Sequence, residues 1–311
     1  MQTDILNATA ELGNLELLAN QVVEGFIIGL HKSPFHGFSA EFAEHRIYNL
    51  GESTKHIDWK VLARTEKTFV KRYEEETNLR AQIIIDASSS MYYPEQKANS
   101  GKLNKIGFSI LSSAVLLNVL KRQRDAFGIT VFNDKIDFQS ESRSTTTHQK
   151  LLLNYLFKIR NKKSDGIKTE VTNCLHAVAD KIHRRSLVII FSDMFENLIG
   201  DESGLNKLWG ALQHLKHNKH EVILFHVTDV QTELEFNFEN RPYKFIDLEN
   251  GVELKLQPNE VKSVYNQKMN AFYEELKLKC GQYKIDLVQA DVSKGFDQIL
   301  VPYFVKRAKM M

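Results

Sequence analysis

The spacing of apolar residues changes several times along the chain. Over residues 10–30, Leu12, Leu15, Leu18, Val22 and Phe26 fall on one side at helical spacing, which predicts an amphipathic helix. Residues 31–80 are rich in His, Arg, Glu and aromatic residues, with short alternating stretches such as Thr68, Val70 and Arg72. They are expected to form a small module of strands and turns. From residue 81 the pattern changes again. Ile83, Ile84 and Ile85 form a continuous apolar run, as in a strand buried on both faces. A helix is predicted over 104–121, a strand near 126–132 and an edge strand at 135–139. A helix at 147–159, a loop at 160–169 and a helix at 170–183 come next. Leu187 to Phe191 is a second doubly buried run, followed by a helix at 204–217 and a strand at 221–227.

Strands alternating with helices imply right-handed crossovers and a mainly parallel sheet. Residues 230–257 break this rhythm, with β-like pieces at Tyr243–Asp247 and Val252–Leu256 that predict a hairpin insertion. A helix at 258–279, a strand at 283–288 and a last helix near 294–308 restore the α/β pattern. The expected organisation is an N-terminal module over 1–80 and an α/β domain over 81–311, interrupted at 230–257.

In an open parallel sheet, ligands gather beyond the carboxyl ends of the strands. Three segments are expected to deliver polar side chains there: Asp86, Ser88 and Ser90 after the first apolar run; Thr169 and Thr172 at a loop and helix start; Ser192 and Asp193 after the second run. These are oxygen donors, with no His or Cys among them, and they suit a hard cation such as Mg2+ or Mn2+. Neutral hydroxyls would leave the ion electrophilic enough to take a partner's carboxylate.

Composition changes this picture little. The chain has 311 residues, 42% apolar and 26% charged, with a formal net charge of +2. That balance gives no reason to expect a nucleic-acid binder. The basic clusters Lys121, Arg122 and Arg124, Arg160, Lys162 and Lys163, and Lys181, Arg184 and Arg185 read as solvated surface, two of them at helix ends. Cys174 and Cys280 have no zinc-like spacing and read as reduced, buried thiols. Asp4 and Glu11 interrupt any signal-like start, and the apolar runs are too short to span a bilayer, so a cytoplasmic location is expected. His214, His217 and His220 read as a solvated helix terminus, and His31, His36, His45 and His56 as structural residues. Phosphate-loop and nucleophile-elbow motifs are absent.

The motif Asp86-x-Ser88-x-Ser90, a later Thr and the strand-terminal Ser192-Asp193 resemble the metal-ion-dependent adhesion site of von Willebrand factor A domains. That resemblance implies a von Willebrand factor A-like, Rossmann-like α/β fold. It also implies one divalent ion held by Asp86, Ser88, Ser90, Thr169 and Asp193, with a partner's acidic residue completing the shell. Thr169 is preferred because it stands six residues before Leu175, and Thr172 is its rival. The stretch Gly37 to Gly51, then Ile57-Asp58-Trp59 through Ala63-Arg64, then Phe69 to Glu76, resembles the bacterial family called domain of unknown function 58. That resemblance implies a non-enzymatic protein-binding module acting with a MoxR-type AAA+ ATPase or its client. Glu41, Arg46, Asp58 and Arg64, among Phe42, Tyr48 and Trp59, read as a salt-bridge lattice or a docking surface. Two alternatives stay open: a phosphoryl-transfer enzyme with Asp86 as nucleophile, for which Ser88 stands where a general acid would be needed, and a metal-free scaffold.

Overall fold

The computed structural model describes residues 41–49, 54, 57–65, 67–74, 79–95, 103–160, 171–195, 202–248, 251–294, 298–300 and 302–303. The helix expected over 10–30, most of the loop at 160–169 and much of the last helix fall outside them; 298–300 and 302–303 are helical.

Two compact units are present, one spanning Phe35–Leu79 and a larger one that includes Arg80–Met311. In the smaller unit, β1 (Glu41–Ile47) pairs antiparallel with β2 (Phe69–Glu74), with a register shift between Phe42 and Glu44. Between them lies a helix, α1 (Trp59–Thr65), where the residue pattern predicts only strands and turns. Asp58 explains it. Its Oδ1 accepts hydrogen bonds from the backbone N–H of Lys60 at 3.0 Å and of Val61 at 3.2 Å, which satisfies donors a new helix leaves open.

In the larger unit the elements follow the expected alternation. They are β3 (Arg80–Asp86), α2 (Lys105–Arg122), β4 (Ala126–Phe132), β5 (Ile136–Gln139), α3 (Thr146–Arg160), α4 (Val171–Lys181), β6 (Leu187–Ser192), α5 (Glu202–His217), β7 (Glu221–Thr228), β8 (Tyr243–Ile246), β9 (Glu253–Leu256), α6 (Pro258–Gln282) and β10 (Asp286–Asp291). The central sheet has six strands in the order β10-β7-β6-β3-β4-β5. All neighbours run parallel except β5, which returns antiparallel along β4. The fold is therefore α/β with a mostly parallel sheet flanked by helices. Strands β8 and β9 form the separate antiparallel hairpin of the insertion.

The last sheet strand begins at Asp286, not at residue 283. Helix α6 runs on to Gln282 and closes with Lys284 in the left-handed region at φ 54° and Ile285 N–H donating to Cys280 O at 2.8 Å. That C-terminal cap consumes the residues expected to start the strand.

Both apolar runs are buried on both faces, as their lack of alternation requires. Ile84, Val188, Ile190, Val222 and Leu224 join one core cluster with α4, α5 and α6. Their equally buried neighbours Ile83, Ile85, Ile189 and Ile223 point to the opposite face by strand alternation. There α2 packs, buried at every position from Lys105 to Leu120. A helix buried all round is normally apolar all round, and Lys105 is the one charged residue in that stretch. Among the described residues, no helix is long and apolar enough to cross a membrane.

Candidate functional site

The sheet order makes its own crevice. From β3 the chain crosses to β4 on one side and later returns to place β6 on the other. The carboxyl ends of β3 and β6 therefore lie side by side where the winding reverses. Asp86 ends β3 and Ser192 ends β6.

Their side chains meet. Ser192 Oγ donates to Asp86 Oδ2 at 2.6 Å, and the Ser88 backbone N–H donates to Asp86 Oδ1 at 2.9 Å. Ser88 and Ser90 share a hydroxyl–hydroxyl hydrogen bond of 3.1 Å, and the Ser90 hydroxyl also bonds the Asp193 carboxylate. Asp193 Oδ1 accepts from the Phe195 backbone N–H at 3.1 Å. A tight turn aims these groups, with Met194 at φ 56° and its N–H donating to Ser192 Oγ at 3.0 Å. Asp86, Ser88 and Asp193 are buried and Ser90 is half-buried, so the cluster opens outward on the Ser90 side.

The structure thus gathers Asp86, Ser88, Ser90 and Asp193 in one network. Thr169 lies outside the described residues. Thr172 sits in the first turn of α4, its hydroxyl buried without a hydrogen-bond partner among them.

The residue pattern did not announce a buried cation here. Lys105 Nζ donates to Asp193 Oδ2 at 2.7 Å and to Glu233 Oε1 at 2.5 Å, with its side chain fully buried. It also lies 5.0 Å from the centre of the Phe195 ring. Glu233 comes from a single π-helical turn, Val230–Leu234, and its Oε2 accepts from the Asp229 N–H at 2.8 Å. Lys105 is the first residue of α2, where the helix dipole disfavours a cation. The two carboxylates, not the helix, hold it. One signal for it stands in the sequence: a lone charge in a long apolar helix has to be paired.

Burial, and next the neighbouring Asp193 charge, push the Asp86 carboxyl up to about 7. Burial also works against ionisation of Asp193, but the Lys105 ammonium overrides it and holds that carboxyl below the usual range. Burial raises Glu233 despite Lys105. At Lys105 itself burial opposes the charge, and Asp193 and Glu233 overcome it. Behind the cluster, His226 Nε2–H donates to the Asp193 carbonyl at 3.0 Å, and burial lowers the imidazole to about 4.

A hard divalent ion fits this donor set. Asp193 and Glu233 share the one Lys105 ammonium, and the Asp193 charge reaches Asp86, so full ionisation leaves an excess of negative charge at this end of the sheet. Both Asp86 oxygens keep a lone pair beyond their hydrogen bonds, and Ser90 adds a hydroxyl on the open side with Ser88 behind it. It is not an all-acidic cage: among the described residues, no three His, Cys, Asp or Glu side chains gather as a metal site.

Of the histidines near the end of α5, His217 is exposed as expected, whereas His214 and His220 are engaged by neighbours. His220 is buried rather than solvated, and its Nδ1 accepts from the Ser186 N–H at 3.1 Å. His214 Nδ1 lies 3.0 Å from His176 Nδ1 on the neighbouring helix. Cys174 and Cys280 are buried and not joined in a disulfide, and Lys181, Arg184 and Arg185 are exposed.

A family profile described as "Protein of unknown function DUF58" matches residues 44–272. The uncharacterized protein Rv1480 of Mycobacterium tuberculosis is 22% identical over 184 residues, 59% of this chain and 56% of that protein. The chain thus spans about half the length of the curated relatives it matches. An aerotolerance-related membrane protein from Bacteroides fragilis superposes with a TM-score of 0.44 at 13% identity, covering 75% of this chain and 100% of that one. A von Willebrand factor type A protein from Catenulispora acidiphila superposes with a TM-score of 0.32 at 13% identity, covering 52% and 35%. Superpositions this loose assign no function.

Proposed function

The chain belongs to the DUF58 family, and from that premise we propose that it is a non-enzymatic, metal-dependent protein-binding module. Mg2+ or Mn2+ would be held by Asp86, Ser88, Ser90 and Asp193, with Thr169 or Thr172 as the threonine donor. When bound, the ion supplies a Lewis-acidic position for a partner's carboxylate. The partner expected from the family resemblance is a MoxR-type AAA+ ATPase or its client.

One observation supports this most: among the described residues, the buried Asp86 and Asp193 carboxylates flank the Ser88–Ser90 hydroxyl pair, and the Lys105 ammonium that faces Asp193 is shared with Glu233. Asp86 and Asp193 set the charge, Ser90 faces the opening with Ser88 buried behind it, and Lys105 holds the Asp193 carboxyl in its ionised form. The same geometry speaks against Asp86 as a phosphoryl acceptor. Both its oxygens accept hydrogen bonds, and a carboxyl near 7 is half-protonated at neutral pH.

A second reading, a metal-free scaffold, is favoured by Lys105 itself, since an ammonium bound to two carboxylates is a built-in counter-ion. Calorimetry separates the two. Wild type titrated with MgCl2 or MnCl2 is expected to give a saturable signal and a thermal upshift, both lost in Ser88→Ala/Ser90→Ala. No heat and no shift at millimolar metal would leave the scaffold. A pull-down with and without chelator then tests the ATPase partner.

A further inference from the structure

Beside Ser90 lies a cavity of about 330 Å³, within the size range of pockets that enclose a small ligand. Among the described residues, Tyr93, Phe195, Phe236, Phe238, Phe245 and Tyr265 wall it, and Ser90, Thr232, Glu233 and Asp247 form its polar side. Tyr93 and Phe195 follow the two loops that carry Ser90 and Asp193. The other four rings come from the segment that breaks the α/β rhythm and from α6. The insertion therefore walls the cavity at the carboxyl ends of β3 and β6.

The rings of these walls pack on one another. Phe236 packs on Tyr265 with ring centres 4.5 Å apart and stacks on Phe245 at 5.6 Å; Phe238 meets Phe245 edge-on at 5.2 Å. Phe236 holds φ 47°, a left-handed conformation that is costly for a bulky side chain and tends to mark functional segments. Tyr265 OH donates to Glu233 O at 2.8 Å, tying α6 to the turn that presents Glu233.

We infer that this cavity receives an aromatic side chain of a protein partner, next to a partner carboxylate that engages the Ser88–Ser90 side of the cluster. The carboxylate half rests on the metal-dependent reading above. Rings favour other rings in edge-on and offset arrangements, beyond simple area burial. Glu233 on the cavity's polar side is engaged by Lys105, and six of the eleven lining residues are aromatic, which suits a flat, largely apolar occupant. Ser90 belongs to both the cavity and the hydroxyl pair, so one short segment, an acidic residue with an aromatic neighbour, fits both.

The test uses three capped dipeptides, N-acetyl-Glu-Phe-amide, N-acetyl-Glu-Ala-amide and N-acetyl-Gln-Phe-amide, titrated by NMR into the full chain with MgCl2 or with EDTA. Glu-Phe is expected to bind about tenfold more tightly than either relative in Mg2+. Phe238→Ala, and Leu248→Trp as a cavity-filling variant in case the first unfolds, are expected to abolish the preference over Glu-Ala. Equal binding of Glu-Phe and Glu-Ala overturns the cavity inference and leaves the metal reading standing. A Phe preference that persists in EDTA and with Gln-Phe upholds the cavity and overturns the metal reading. No binding of any peptide at millimolar concentration overturns the inference.

Discussion

A lysine at the start of a helix ordinarily reaches for water, and Lys105 has none to reach. Its ammonium is held between Asp193 and Glu233 at 2.7 and 2.5 Å. Removing one partner of such a group strands the others as buried charges, which costs about 3–5 kcal/mol. Lys105→Met is therefore expected to lower stability by that order, read as a drop in the urea midpoint. A midpoint within error of wild type would show that Asp193 and Glu233 are hydrated or protonated instead. Sequence reasoning reached Asp86, Ser88, Ser90 and Asp193 because each follows a doubly buried strand and has no apolar reason to be there. It missed Glu233, which sits in an irregular turn 128 residues from Lys105 with no local pattern that points to burial.

At the scale of elements, β3 and β4 pack so closely that one missing side chain matters. A Cβ on Gly128 would lie 2.5 Å from Gln82 Oε1, 2.9 Å from Ser140 O and 3.1 Å from Glu141 O. Gln82 is held in place, with Nε2 donating to Thr130 Oγ1 at 2.9 Å and Oε1 accepting from Ser142 Oγ at 3.2 Å. Gly128→Ala is expected to destabilise the chain by about 1–3 kcal/mol through overpacking, measured by thermal unfolding; an unchanged Tm would mean the β5 loop gives way freely. Strands β3, β4, β6 and β7 were legible because continuous apolar runs leave few other structures for them. Helix α1 was not, because a seven-residue helix whose residues are not buried carries no apolar stripe, and its one local signal is the cap at Asp58. The start of β10 was misplaced for a related reason: the cap after α6 depends on a backbone conformation at Lys284 that the residue type does not announce.

For the whole molecule, acid acts in two opposed ways. Burial holds His220 and His226 at about 4, below the ordinary 6.5. Their neutral forms stabilise the fold fully above pH 6.5, and that contribution is lost as pH falls towards 4. Asp86 runs the other way. Raised from 3.8 to about 7, it destabilises the fold when ionised, and that cost is relieved as pH falls from 7 towards 3.8. The two trends offset each other in the wild type. In Asp86→Asn, with chelator present, the urea midpoint is expected to fall more steeply between pH 6.5 and 4 than in the wild type. Parallel slopes would mean that Asp86 is not shut away from water as its burial has it.

Asp86 and Lys105 come early in the chain, Asp193 and Glu233 much later, and the bonds between them span up to 128 residues. On the ribosome, Lys105 emerges before the groups that answer its buried ammonium have been made. A half-synthesised chain therefore has every reason to keep that helix end open to solvent. Translation must carry Glu233 clear of the exit tunnel before the cluster can close.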